Sequence, residues 1–182
     1  MNDLWQQAVK DLDEGNFTSL QNVLGGPDGF DSYIVEWHKS GRFDGHSEML
    51  AETLTCACML GRTETAAYLL DNGVDPYLGM RTGLAGPHYA ASGGHLDTVK
   101  MLLGKNIPLE IENGYGGTML GQALWSAINE HKDSHTNVIE LLIESGAYVW
   151  PETLEWWNEQ AVPSADTKQR VADILKLHAI GV

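Results

Sequence analysis

Positive charge is scarce in this chain. Eleven lysines and arginines stand against 25 aspartates and glutamates, a formal net charge of −14. A nucleic-acid-binding surface needs clustered cations to neutralise phosphates, so no nucleic-acid partner is expected. Cysteine is nearly absent, with only Cys56 and Cys58. On a helix that spacing sends the two thiols to different faces, where they do not form a disulfide. They read as small apolar residues in a reducing compartment rather than as a metal or redox site. No apolar run approaches the roughly 18–20 residues of a membrane span. The opening MNDLWQQAVKDLDEG has neither a basic n-region nor an apolar h-region. A soluble cytoplasmic protein with no membrane partner is predicted. A Gly-Lys-Ser/Thr phosphate loop, a Gly-x-Ser-x-Gly elbow and a Cys–His pairing are all missing. No cofactor and no enzymatic activity are therefore expected. What remains is an ordinary apolar fraction of 43% over 182 residues, enough for a continuous core.

One stretch organises the rest. Gly83 to Pro108 reads GLAGPHYAASGGHLDTVKMLLGKNIP. Pro87 to Ala91 make a compact helix start, with proline suited to a first turn that has no use for its missing N–H. Val99, Met101, Leu102 and Leu103 form the apolar face of a second helix, and Gly93-Gly94 separates the two. Neither segment is long enough to stand alone, so neighbours must cover both. Those neighbours recur at a fixed spacing of 33 residues. Gly61 precedes Gly94 by that interval, Ala57 precedes Ala90, and Leu69-Leu70 precede Leu102-Leu103. Thr118 and Ala123 follow Ala85 and Ala90 by the same interval. The repeat resembles the ankyrin repeat. The resemblance implies an all-α, ankyrin-like solenoid of stacked helical hairpins with degenerate terminal caps.

On that basis residues 1–182 are expected to form a single ankyrin-repeat domain in four parts. Residues 1–26 are an N-terminal cap. Leu4, Trp5, Ala8, Val9 and Leu12 have helical spacing, Gly15-Asn16 turns the chain, and Phe17, Leu20, Val23 and Leu24 continue to a stop at Gly25-Gly26-Pro27. Trp5 and Phe17 read as core, and Asp11-Asp13-Glu14 as an exposed helix end. Residues 27–46 fall off the period as an insertion, with a short helix over Ser32–Trp37 capped by Asp31 or Ser32, then a loop over Ser40–Gly45. Residues 47–150 hold the ankyrin-like repeats. Their last unit has Leu142-Ile143 at a spacing of 40 from Leu102-Leu103, which places an insertion of about seven residues in a solvated loop around Glu130–Thr136. Residues 151–182 are a C-terminal cap. Val171, Ile174, Leu175 and Leu177 face its core, and Trp150, Trp156 and Trp157 pack it.

The family pattern is present in fragments. Gly83, His88, Ala90, Ala91, Gly94, His95, Leu102 and Leu103 match it, as do Thr118, Leu120 and Ala123, while Gly121 stands where histidine is usual. His88 and His95 coincide with histidines that hydrogen-bond backbone in the family. The family binds proteins through turn tips and first-helix surfaces, because a solenoid's outward side chains vary without disturbing its core. Carried over position by position, the partner-binding candidates are Arg81, Thr82, Leu84 and Ser92 in the third unit. In the fourth they are Tyr115, Trp125 and Ser126. Gly117 belongs with these, and in the second unit the candidates are Glu48, Met49, Ala51, Met59 and Leu60. Trp125 leads, since tryptophan is enriched among binding hot spots; burial beneath the Glu130–Thr136 insertion is its competing reading.

The resemblance implies a non-enzymatic protein-binding module. Its acidity fits an immunity or inhibitor protein that masks a basic toxin or enzyme, although solubility alone also accounts for the charge. An adaptor or scaffold role fits equally. A different class, a metal-dependent hydrolase, would use His131 and His135, whose i,i+4 spacing meets on a helix face.

Overall fold

Eleven helices and no strand are found among the described residues of the computed structural model, which are 2–130, 132–162 and 164–178. They are α1 (Asn2–Asp13), α2 (Phe17–Val23), α3 (Pro27–Lys39), α4 (Ser47–Met59), α5 (Thr63–Asp71), α6 (Gly86–Ser92), α7 (Leu96–Gly104), α8 (Met119–Asn129), α9 (Asp133–Glu144), α10 (Thr153–Glu159) and α11 (Ala165–His178). Their contacts fall into two units, Met1–Ala90 and Ala91–Val182.

In the first unit, α1 packs on α2 and α4, and α3 packs on α2 and α5. The core is built from Leu12, Leu20, Phe30, Ile34, Leu54 and Leu69. Trp5 meets Trp37 and Phe43 edge-on at 5.0 and 5.1 Å. The off-period segment has the loop over Ser40–Gly45 that its sequence predicts, but its helix is longer than the expected Ser32–Trp37. Gly26 turns at φ 87°, Pro27 takes the first helical position, and α3 runs for 13 residues from there. The stop that ends α2 therefore also starts α3. Phe30, Ile34 and Trp37 make its buried stripe. Gly29 has a steric reason: a Cβ there would overlap the Leu24 carbonyl. Asp28 in the first turn and His38 and Lys39 in the last complement the helix dipole.

Helix α4 is buried on all sides from Ala51 to Cys58. Both thiols are free, and burial pushes Cys58 up to about 12 and Cys56 well above its ordinary value. They are protonated apolar packing residues. Asp11 corrects the helix-end reading. It is buried, accepting from the Gln7 side chain at 2.9 Å and from Ser19 at 3.2 Å.

In the second unit α9 lies against α7, α8 and α11, and buries Val138, Ile139, Leu142 and Ile143. The seven inserted residues do not form a solvated loop. Helix α8 continues four residues beyond Trp125, the position equivalent to the end of α6. Helix α9 begins three residues before Thr136, the position equivalent to the start of α7. Three residues separate the helices in both cases, so the insertion lengthens the helices and not the connection. His135 and Thr136 are buried in the added turn of α9. The His135 Nε2 donates to the Ser92 carbonyl at 2.7 Å, satisfying an acceptor that the end of α6 leaves open.

Helices α10 and α11 pack on each other, and α11 reaches α9 through buried Val171 and Leu175. Only one of the three C-terminal tryptophans is core. Trp157 is fully buried and donates its indole N–H to the Lys168 carbonyl at 3.0 Å, whereas Trp150 and Trp156 are exposed. Leu177, expected on the apolar face of the last helix, is exposed as well.

Candidate protein-docking surface

Within the first unit, the Arg81 guanidinium is held between Asp13 and Glu48, the latter at 3.3 Å. Its backbone N–H donates to Glu52 Oε1 at 2.9 Å. Arg81 thus ties its own turn to α1 and α4. Thr82 accepts from the Tyr89 hydroxyl at 3.0 Å, and Leu84 and Met59 are half-buried. Met49 and Ala51, expected on the same face, are buried. Glu48 and Arg81 stay exposed as an ion pair, so the positions carried over in the first unit offer charge but no exposed aromatic.

Glu52 has an unusual position. It is buried, and its second carboxylate oxygen lacks a partner. Burial pushes its carboxyl above 4.5, with Arg81 opposing. A raised folded-state value means that the ionised form weakens the fold as pH rises. Glu52→Gln removes that dependence. The melting temperature of the variant relative to wild type is expected to climb between pH 4.5 and 7.5, by about 2 °C or more, when measured by calorimetry. A flat difference across that range would show that Arg81 fully compensates the buried charge.

The second unit differs in its exposed aromatics. Tyr115 is 76% exposed at the tip of the Asn113–Gly117 turn. Asn113 is the buried organiser of that turn, accepting at its side-chain oxygen from Tyr115 N–H at 2.9 Å and Gly117 N–H at 3.0 Å. Gly116 supplies the positive φ of 79°. Thr118 then caps α8 by accepting from Gly121 N–H at 3.2 Å. Trp125 on α8 is 51% exposed, so the lengthened hairpin does not bury it. Ser126 corrects the expectation for its position. It is buried, and its hydroxyl shares a 2.9 Å hydrogen bond with Ser92.

Beside these lies a groove of about 600 Å³, whose walls include Glu110, Glu112, Gly121, Leu124, Tyr148 and Trp150. Tyr148 and Trp150 meet edge-on at 4.8 Å, and Trp150 is 62% exposed. The Tyr148 N–H donates to Glu110 at 2.8 Å. Gly121 lines the groove one helical turn before Trp125, which puts Trp125 at its margin. The carry-over by repeat position missed Glu110, Glu112, Tyr148 and Trp150. The spacing of 40 that relates Leu102 to Leu142 also relates Glu110 to Trp150, and was the available signal.

His135 is buried against Ser92, and His131 lies outside the described residues. Among the described residues, no group of three or more His, Cys, Asp or Glu is placed to hold a metal ion. No helix among them is long and apolar enough to cross a membrane.

A family model described as ankyrin repeats (3 copies) matches residues 54–153. A solved structure described as an ankyrin repeat protein, EF0377, matches with a TM-score of 0.57 at 17% identity, covering 94% of this chain and 96% of that one. That likeness is one of fold. No curated protein matches the sequence.

Proposed function

The chain belongs to the ankyrin repeat family, and from that premise we propose that it is a non-enzymatic module binding a basic protein through the exposed aromatics of its second unit. Tyr115 and Trp125 carry the reading. Each is a large apolar side chain held open to solvent, one on a hydrogen-bonded turn and the other on a helix. Rigid aromatics of this kind are the usual anchors of protein interfaces. The net charge of −14 supports a cationic partner, whose association it would steer and make salt-sensitive. An inhibitor or immunity protein masking a basic toxin or enzyme is the specific form of this role. The two free thiols suit residence in a reducing cytoplasm.

Affinity capture from extracts of the producing cells tests it. Wild-type protein is expected to retain a protein of high isoelectric point, and Trp125→Ala to weaken that capture by about tenfold or more. The variant should melt within about 2 °C of wild type, because removing a half-exposed side chain leaves no core cavity. Equal capture by the variant would remove Trp125 from the interface. Failure of wild type to retain any basic protein would remove the partner class.

A further inference from the structure

The groove beside Trp125 has a chemistry of its own. Its lining holds two carboxylates, Glu110 and Glu112, two aromatic rings and apolar Leu120 and Leu124, with no basic residue among them. Glu110, at the end of a turn, and Glu112, two residues on, both line the groove. One Glu110 oxygen is held by the Tyr148 N–H, which fixes that carboxylate at the groove wall. No hydrogen bond or ion pair ties Glu112 to another described residue. In the same lining, the perpendicular rings of Tyr148 and Trp150 form a corner, and the indole is largely open to solvent.

Gly121 keeps the floor open. It is helical, and a Cβ there would touch only Thr118 Oγ1, at 3.7 Å. A larger side chain at this position would grow into the groove rather than into the core. A side chain at position 121 therefore fills the groove without displacing the Thr118 cap or reaching the buried face of α8.

We propose that this groove seats an arginine side chain of the basic partner, with its guanidinium stacked on Trp150 and paired with Glu112. The assignment rests on the protein-binding reading above and names the chemistry of the contact. A planar guanidinium suits both walls at once. It stacks on an indole within about 6 Å of the ring centroid and presents a fork of donors to a carboxylate. An apolar segment would leave Glu112 unpaired as water is displaced, and an acidic one would meet two like charges.

The test uses the full chain and a fluorescein-labelled Gly-Ser-Arg-Gly-Ser-Arg-Gly-Ser peptide, with a copy in which citrulline replaces arginine. Citrulline keeps the shape and removes the charge. In fluorescence anisotropy at physiological salt the arginine peptide is expected to bind at least about tenfold more tightly than the citrulline peptide. Trp150→Ala, Glu112→Gln and Gly121→Leu should each weaken the arginine peptide by about the same factor. Gly121→Leu guards against a folding artefact, since leucine favours a helix over glycine and the variant should melt no lower than wild type. Equal binding of the two peptides overturns the assignment. So does arginine-peptide binding that survives Trp150→Ala and Gly121→Leu, which would be attraction to the acidic surface at large, and so does no binding at all. A basic protein captured equally by wild type and Gly121→Leu would refute the groove while leaving the protein-binding role intact.

Discussion

Trp157→Ala is expected to destabilise the chain by roughly 3–5 kcal/mol, the largest effect of any substitution considered. Trp157 is fully buried between α10 and α11, so alanine removes the whole bicyclic ring from a site with no solvent to refill it. It also removes the 3.0 Å bond to the Lys168 carbonyl. That carbonyl lies in α11, so the bond ties the two helices to each other. Lys168 reinforces the same junction by donating to the Asn158 and Gln160 carbonyls at 2.9 and 2.6 Å. In a chain of this length the melting temperature should drop by roughly 10 °C. Hydrogen exchange should show the loss of protection concentrated in α10, α11 and the neighbouring α9. A loss below about 1 kcal/mol would mean that the C-terminal helices are not packed as described.

His135→Ala ranks second, at roughly 2–4 kcal/mol, because it combines a cavity with an orphaned carbonyl at Ser92. The pH dependence gives this prediction a sharper form. Burial lowers the His135 value below 6.5, and the Nε2–H that reaches Ser92 leaves Nδ1 buried without a partner. Protonating Nδ1 would place an uncompensated charge in the interior. A depressed folded-state value means that the unfolded chain takes up the proton first. The stabilising contribution is therefore present above pH 6.5 and is lost as pH falls through the folded-state value. His135→Gln keeps a donor for Ser92 but does not titrate. Its melting temperature should fall less than that of wild type between pH 7.5 and 5. Parallel curves would show that His135 takes up its proton equally in the folded and unfolded chain, so that burial does not depress its value.

The repeated hairpins were legible because stacking depends on small and apolar residues at fixed places. Ala57, Ala90 and Ala123, spaced by 33, are all buried, as are Leu69, Leu102 and Leu142. The inserted segments were not legible in the same way. Polar residues at Glu130–Thr136 look like a loop, yet α8 and α9 gained turns at either end of an unchanged connection. His135 belongs to that added turn, and its burial depends on a carbonyl 43 residues earlier, a relation that no local pattern carries. The Gly25-Gly26-Pro27 stop concealed a helix start, because proline that ends one helix is also suited to begin the next.

Among the candidate positions, the repeat spacing picks out Tyr115 and Trp125, which are exposed, together with Ser126, which is buried. Helix position alone does not say how far a neighbour overhangs it. Six tryptophans in 182 residues cannot all be exposed, but which of them are, Trp150 among them, is settled by packing rather than by number. The groove combines a turn, a helix start and an extended segment that are separate in the chain. Its acidic and aromatic sides become one site only through the fold.

The most direct measurement is the dissociation constant of the captured basic protein for wild type and Trp125→Ala, each at low and physiological salt. Wild type should bind more weakly as salt rises, since charge steers the encounter, and Trp125→Ala should lose about tenfold or more at both salts while retaining the wild-type melting temperature. An affinity that is insensitive to salt and unchanged by Trp125→Ala would contradict a basic partner held on the aromatic surface of the second unit.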